Sequence, residues 1–230
     1  MATTVAVVRF PGTNCEFDVV EAVEALGARG ELVFHDHATL VGIDAVVIAG
    51  GFAHGDYLRP GAIARFSPVM EAVRRFADDG GPVVGICNGF QVLTESHLLP
   101  GALQKNAGLK FRCGMAHLRV ETTDSVLTSQ AQVGQVLGIP INHFEGNYTC
   151  STETLAELRG DDRVVVRYVD NPNGSVDDIA GICNAGRNVV GLMPHPERAC
   201  HPLLGSTDGI VMMRSLLVAA GASLRVGAPD

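Results

Sequence analysis

A chain of 230 residues is long enough to close a sizeable hydrophobic core and is the size of a single α/β domain spanning 1–230. Its balance of 25 Asp and Glu against 17 Lys and Arg argues against a nucleic-acid binder, and its only lysines, Lys105 and Lys110, stand in no GxxxxGK[ST] loop, which excludes a Walker-type phosphate cradle. The start Met1-Ala-Thr-Thr lacks the basic region and apolar run of a signal peptide, and every later apolar run is broken before membrane length, so a cytoplasmic protein without membrane contact is expected.

Residues 5–10 form an apolar run that stops at Pro11-Gly12, and Val19, Val23 and Leu26 then share one helical face: a first strand and a first helix. Asn14, Cys15 and Glu16 fall at the carboxyl end of that strand, where open α/β sheets bind ligands, and Asn14 is either ligand-facing or a helix cap. Residues 32–34 and 45–48 are the next short strands, and this alternation with helices argues for a parallel sheet. The loop 49–57 follows, rich in glycine. Gly50 and Gly51 permit the close backbone approach that an oxyanion donor needs, although a glycine pair also suits a plain turn. Ser67-Pro68 opens a helix by cap and first-turn proline, with Val69, Val73 and Phe76 inward, while Arg59 and Arg65 suit surface or partner contacts.

The stretch 82–91 carries the chemistry. Val83, Val84 and Ile86 are the β-branched run of a buried parallel strand, and Phe90, Val92 and Leu93 follow at helical spacing. Cys87 sits at the turn between them, flanked by Gly85 and Gly89, as a strand-to-helix nucleophile elbow requires. The helix start at Asn88 offers free N–H groups and a positive dipole end, which favour a thiolate and can face a developing oxyanion. A lone cysteine is otherwise a small buried hydrophobe; the coincidence of strand, GxCxG and helix favours the nucleophile.

Between residues 103 and 168 the pattern changes to alternating strands at 117–121 and 139–142, an antiparallel insertion or extension of the sheet. Runs at 179–183 and 188–193 flank Asn184-Ala-Gly-Arg187 as a hairpin that delivers His195 to the site. Proline after His195 disfavours helix, so 195–197 should be extended, with His195 and Glu197 projecting to one side. A carboxylate that orients an imidazole, beside a cysteine, is the Cys-His-acid logic of acyl transfer. The six cysteines are widely spaced with no CxxC pair, and Cys200-His201 is an adjacent pair without partners, so neither disulfide framework nor metal is expected. Asp208 caps a last helix with Ile210, Met213 and Leu217 inward, and 225–230 reads as a frayed tail.

The motifs Phe10-Pro-Gly-Thr-Asn-Cys15, Gly50-Gly-Phe-Ala-His-Gly-Asp-Tyr-Leu58, Pro60-Gly-Ala-Ile-Ala-Arg65, Gly85-Ile-Cys-Asn-Gly-Phe-Gln91 and Met193-Pro-His-Pro-Glu-Arg198 together resemble the class I glutamine amidotransferases. They are most similar to the glutaminase (PurQ-type) subunits of phosphoribosylformylglycinamidine synthase. That resemblance implies an open, mostly parallel, flavodoxin-like sheet flanked by helices with an antiparallel extension. It also implies a Cys87, His195, Glu197 triad, oxyanion donors near Gly51 and at Asn88, and Gln91 supporting the elbow or the substrate. The implied substrate is L-glutamine, and the implied partners are a large ATP-dependent synthetase and a small third subunit. ATP and magnesium would belong to the partner, with no cofactor in this chain. His143-Phe-Glu-Gly146 resembles the family's segment near the glutamine site, with Phe144 where glycine is expected; His143 and Glu145 are then structural or glutamine-binding. Another amidotransferase subunit, an elbow-cysteine hydrolase of similar fold, or a non-catalytic scaffold subunit are the alternatives.

Overall fold

A computed structural model describes residues 2–222, so the tail at 225–230 lies outside the described residues. The first half alternates strand and helix: β1 (Thr4–Arg9), α1 (Glu16–Ala25), β2 (Arg29–Phe34), β3 (Ala45–Ile48), α2 (Pro68–Asp78), β4 (Val83–Ile86) and α3 (Asn88–Glu95). The second half is richer in strands: β5 (Ala102–Gln104), β6 (Arg112–Val120), β7 (Val136–His143), β8 (Asn147–Thr149), α4 (Thr152–Gly160), β9 (Val164–Tyr168), β10 (Ile179–Cys183), β11 (Val189–Leu192) and α5 (Gly209–Ala219).

Among the described residues, nine strands form one sheet in the order β2-β1-β3-β4-β11-β10-β9-β6-β7. The pairs from β2 through β11 are parallel, and those from β11 onward to β7 are antiparallel. The expected antiparallel extension is therefore present and reaches through β10, with a separate two-stranded ribbon of β5 and β8 beside it. Every residue of β3, β4 and β11 is buried, which is why these strands are continuous Val/Ile/Leu runs without polar alternation. Helices α1 and α5 pack on each other and α3 packs on β3, β4 and β11. The inward faces are Val19 and Val23 of α1, Val69, Met70, Val73 and Ala77 of α2, and Met212, Met213, Leu216 and Leu217 of α5. Ile210, expected to point inward, is only half-buried.

The expected side-chain caps do not form. Ser67 and Asp208 stand at the N-cap positions of α2 and α5 without capping bonds; the Asp208 carboxylate instead accepts from Gly138 N–H at 2.7 Å, tying α5 to β7. Cys15, not Asn14, precedes α1. A carboxylate bonded across to another element satisfies a tertiary donor at the expense of a local one, and propensity is silent about that choice.

Register sets the strand ends level. Val8 pairs with Ile48, Ile48 with Gly85, and Ile86 with Leu192. The segments that follow β1, β3, β4 and β11 thus leave the same edge of the parallel half, which is where an open α/β sheet gathers a site.

Candidate active site

Cys87 leaves β4 with φ 52° and ψ −106°, a backbone conformation that a residue with a Cβ adopts only when its surroundings force it. The forcing is visible on both sides. A Cβ on Gly89 would lie 2.0 Å from the Ile48 carbonyl oxygen, and one on Gly85 would lie 2.6 Å from that of Gly89. Only glycine at both positions lets α3 press onto β3 and β4 closely enough to make the turn. The Cys87 N–H donates to Leu192 O at 2.8 Å, which anchors the elbow to β11, and its side chain lines a narrow pocket.

His195 follows β11 by three residues and lines the same pocket, 1% exposed. Its Nδ1 lies 2.7 Å from Glu197 Oε1, and since a carboxylate only accepts, the proton sits on Nδ1. Nε2 is buried and has no hydrogen-bond partner among the described residues. Burial works against protonating this ring, but the Glu197 carboxylate and then Cys87 outweigh it, and the His195 pKa stands well above the ordinary histidine value. The expected extended backbone at 195–197 is not what brings the pair together. Pro196–Ala199 is a turn of 3-10 helix with His195 at its N-cap position, because proline's fixed φ suits a first helical turn. Glu197 therefore curls back under the ring.

The glycine pair is fixed by what surrounds it. The Gly50 carbonyl accepts from the N–H groups of Asn14 and Cys15 at 3.3 and 3.2 Å. Peptide planarity then turns the Gly51 N–H the opposite way. Gly51 has φ +146°, and a Cβ there would lie 2.7 Å from Asn14 N; a Cβ on Gly50 would lie 2.9 Å from His195 Cε1. Asn88 and Gln91 make one amide chain beneath the elbow. The Asn88 side chain accepts from Ala53 N–H (2.9 Å) and donates to Asp56 Oδ1 (3.1 Å) and Gln91 Oε1 (2.8 Å), and Gln91 Nε2 donates to Glu145 O (2.6 Å). The glycine-rich loop and the 143–146 loop thus both hang from α3. Arg59 and Arg65, by contrast, pair with Glu95 within the chain.

The far edge of the sheet also reaches the site. Strand β7 is last in the sheet, yet its Pro140 carbonyl accepts from His195 N–H at 2.8 Å, and Asn142, His143, Phe144 and Glu145 line the pocket. Phe144 occupies the position where glycine was expected without a left-handed φ, so the loop closes without one; Gly146 is the residue that must lack a side chain, since a Cβ there would lie 2.2 Å from the His143 ring. His143 Nε2 accepts from Asn173 Nδ2 (3.1 Å), and burial, with His195 behind it, pushes its pKa down to about 4. A neutral imidazole held by an amide is a structural group, not a second base. Asn106, fully buried, donates to the carbonyls of His143 and Lys110 and accepts from Gly146 N–H.

Two features escape sequence reading. Cys15 Sγ accepts from Arg198 at 3.3 Å, and Arg198 is held by Asp18 at 2.8 Å, so a second cysteine besides the elbow one stands beside the His195–Glu197 pair. Donor atoms of Cys15, His195 and Glu197 lie within 4.8 Å of one another, a set that suits a soft cation by type. The fit is poor: Nδ1 is committed to Glu197 and the sulfur faces a guanidinium charge, which a cation would have to displace. The second feature is Asp56, which lines the pocket from the glycine-rich loop. Arg198 follows the His-Pro-Glu motif directly and Asp18 lies one turn after Cys15, so the sequence held a signal for that link; for Asn106 and Asn173 it held none.

A strand-to-helix cysteine, a buried His–Glu pair and a glycine backbone turn at the carboxyl edge of a parallel sheet define a class of thiol acyl-transfer fold. The chain belongs to the family of CobB/CobQ-like glutamine amidotransferase domains, whose model matches residues 2–208. Its relatives include PurQ subunits of phosphoribosylformylglycinamidine synthase. That of Rubrobacter xylanophilus is 56% identical over 216 residues, 94% of this chain and 98% of that protein, and that of Koribacter versatilis is 54% identical over 218 residues, 90% and 94% of the two. A chain in the structure of PurLQS from Thermotoga maritima superposes with a TM-score of 0.88 at 40% identity, covering 95% of this chain and 99% of that one. The resemblance drawn from the motifs is borne out.

Proposed function

We propose that this chain is the glutaminase subunit of phosphoribosylformylglycinamidine synthase, releasing ammonia from L-glutamine for an ATP-dependent synthetase that converts formylglycinamide ribonucleotide to the amidine in purine biosynthesis. The observation that carries the reading is the buried His195–Glu197 pair, at 2.7 Å, facing the pocket that holds the elbow Cys87. Cys87 is the nucleophile. Its sulfur attacks the carboxamide carbon, and the N–H groups of Gly51 and Asn88 receive the oxyanion, the former turned away from residues 14 and 15 by the two bonds to Gly50 O. His195 delivers a proton from Nε2 to the departing amine, leaving a thioester. Neutral again, it activates water at the same atom, and hydrolysis yields glutamate and the free thiol. Glu197 holds the tautomer and the charge of the ring, and Gln91 braces the elbow against the 143–146 loop.

The chain itself needs no cofactor for this chemistry. ATP and magnesium act on the large synthetase subunit, a small third subunit completes the complex, and the assembly works in the cytoplasm. Among the described residues no helix is long and apolar enough to cross a membrane. The test is glutamate release by the purified chain and its Cys87→Ala variant, each with and without the synthetase subunit. Release that needs Cys87 and rises with the synthetase supports the reading. Release that needs Cys87 but ignores the synthetase would keep the glutaminase and remove the purine assignment; no release at all would leave only a scaffold.

A further inference from the structure

Two thiols share the pocket. Cys15 and Cys87 both line it, and both side chains are buried, 3% and 6% exposed. They come from different turns, Cys15 from the one that precedes α1 and Cys87 from the elbow after β4, and both border Gly50. A Cβ on Gly50 would stand 3.3 Å from Cys15 Sγ and 3.4 Å from Cys87 Cβ, so the two side chains face one space that the glycine leaves open. Their backbones are anchored on either side of it: the Cys15 N–H donates to Gly50 O at 3.2 Å and the Cys87 N–H to Leu192 O at 2.8 Å. Rotation of each side chain about its Cα–Cβ bond moves the sulfur without moving either anchor. The surroundings of Cys15 also suit an attacking sulfur. Its S–H donates to Asn14 Oδ1 at 3.5 Å, and the sulfur accepts from the Arg198 guanidinium at 3.3 Å. Cys183 and Cys200 differ: burial pushes the thiol of Cys200 up to about 12 and that of Cys183 up as well, and neither lines the pocket.

We propose that Cys15 is a resolving cysteine: when a hydroperoxide oxidises Cys87, Cys15 closes on it as a reversible disulfide that switches the nucleophile off. Only the effect on activity rests on the glutaminase reading. The Cys87 thiolate, its proton held by His195 Nε2, attacks the distal oxygen of the hydroperoxide. The O–O bond breaks, Cys87 becomes a sulfenic acid, and the leaving oxygen takes the proton from His195 as an alcohol, or as water when the oxidant is hydrogen peroxide. Cys15 then attacks the Cys87 sulfur. The S–O bond breaks, and the hydroxide expelled leaves as water with the proton that Cys15 gives up. Two thiols have lost two electrons and two protons, and the hydroperoxide has gained the same two electrons. Negative charge that builds on Cys15 during the attack faces Arg198. A dithiol reductant reverses the bond by exchange, whereas a sulfenic acid left unresolved goes on to sulfinic acid, which such a reductant does not restore.

The experiment exposes the full chain, in complex with the synthetase, to hydrogen peroxide and follows glutamate release together with peptide masses after the remaining thiols are alkylated, each protein being compared with its own untreated rate. Wild-type release should fall at least about tenfold as a peptide pair linked through Cys15 and Cys87 appears, and dithiothreitol should remove the link and return the rate. Cys15→Ser should lose its rate without regaining it, because Cys87 then carries a sulfinic acid, a gain of about 32 Da. Cys113→Ser, at an exposed position on β6, should recover as the wild type does. A wild type whose Cys87 goes to sulfinic acid with no link to Cys15, or whose two thiols both stay free, would overturn the proposal, and this arm stands whether or not the variant folds. A Cys15→Ser variant that recovers with dithiothreitol as fully as the wild type would overturn it too. A reduced wild type that releases no glutamate would remove the glutaminase reading, and the masses of the oxidised chain would then decide the disulfide by themselves.

Discussion

Gly50→Ala is the substitution whose consequence can be worked most directly from the structure. Gly50 is not among the glycines with positive φ, so alanine brings no backbone strain, and the whole effect is the new methyl. That methyl would stand 2.9 Å from His195 Cε1, 3.3 Å from Cys15 Sγ and 3.4 Å from Cys87 Cβ. Carbon–carbon contacts settle at about 3.5–4.0 Å, so the imidazole must retreat by roughly 0.6 Å or more. It cannot swing freely, since it is buried and held at Nδ1 by Glu197. A misplacement approaching 1 Å costs about 100-fold in rate, so a fall in kcat of about 10- to 100-fold is expected, on the order of 1.4–2.7 kcal/mol in the barrier. Glutamate release at saturating glutamine, measured with the synthetase present, gives kcat, and a thermal melt tests whether the fold survives. Gly160→Ala is the matched control, because a methyl there meets nothing within 4 Å. A Gly50→Ala variant that melts like the wild type and turns over within twofold of it would refute the claim that this glycine sets the ring's position.

Glu197→Gln should lower kcat by about 100- to 10,000-fold, as a neutral amide neither fixes the tautomer nor stabilises the imidazolium. Because the carboxylate is what holds the His195 pKa up, the limb of the pH profile belonging to that ring should also move to lower pH, and a limb that stays in place would contradict its assignment. His143 predicts acid sensitivity. Its folded pKa of about 4 lies below the ordinary 6.5, so between these values the unfolded chain takes up a proton that the folded chain refuses. This contribution is present in full above about pH 6.5 and is lost as pH falls toward 4, by up to roughly 3 kcal/mol. Urea midpoints of wild type and His143→Gln should therefore converge in acid, and parallel curves across that range would show that the ring titrates normally.

How much of this was legible beforehand follows from the range of the forces involved. The strands β3, β4 and β11 could be read from their β-branched runs, and the elbow from Gly85 and Gly89, because steric exclusion acts between a residue and its immediate surroundings whatever else the fold does. His195 and Glu197 could be paired for a similar reason. Two residues in a proline-restricted segment have few ways to avoid each other, and they met even though the segment is a 3-10 turn and not extended. The Asp208 cap does not form because its carboxylate takes a donor across space, on Gly138, in place of one along its own helix.

The sequence alone thus determined the parallel half, the glycine-flanked turn at Cys87 and the pairing of His195 with Glu197, all consequences of local backbone sterics and of hydrophobic burial. Tertiary structure decided the rest of the pocket. Strand β7, last in the sheet order, meets the segment after β11, so that Pro140 supports His195 and residues 142–145 form a wall of the pocket. Tertiary structure also brings Cys15 to Arg198 and Asp56 to Asn88, and seats His143 on an amide from Asn173. These contacts join segments far apart in the chain, and their geometry depends on sheet twist and on the direction each side chain leaves its backbone. Neither quantity is encoded in the spacing of residue types, which is why the turn at Cys87 and the His195–Glu197 contact could be read from the sequence while the shape and charge of the space around them could not.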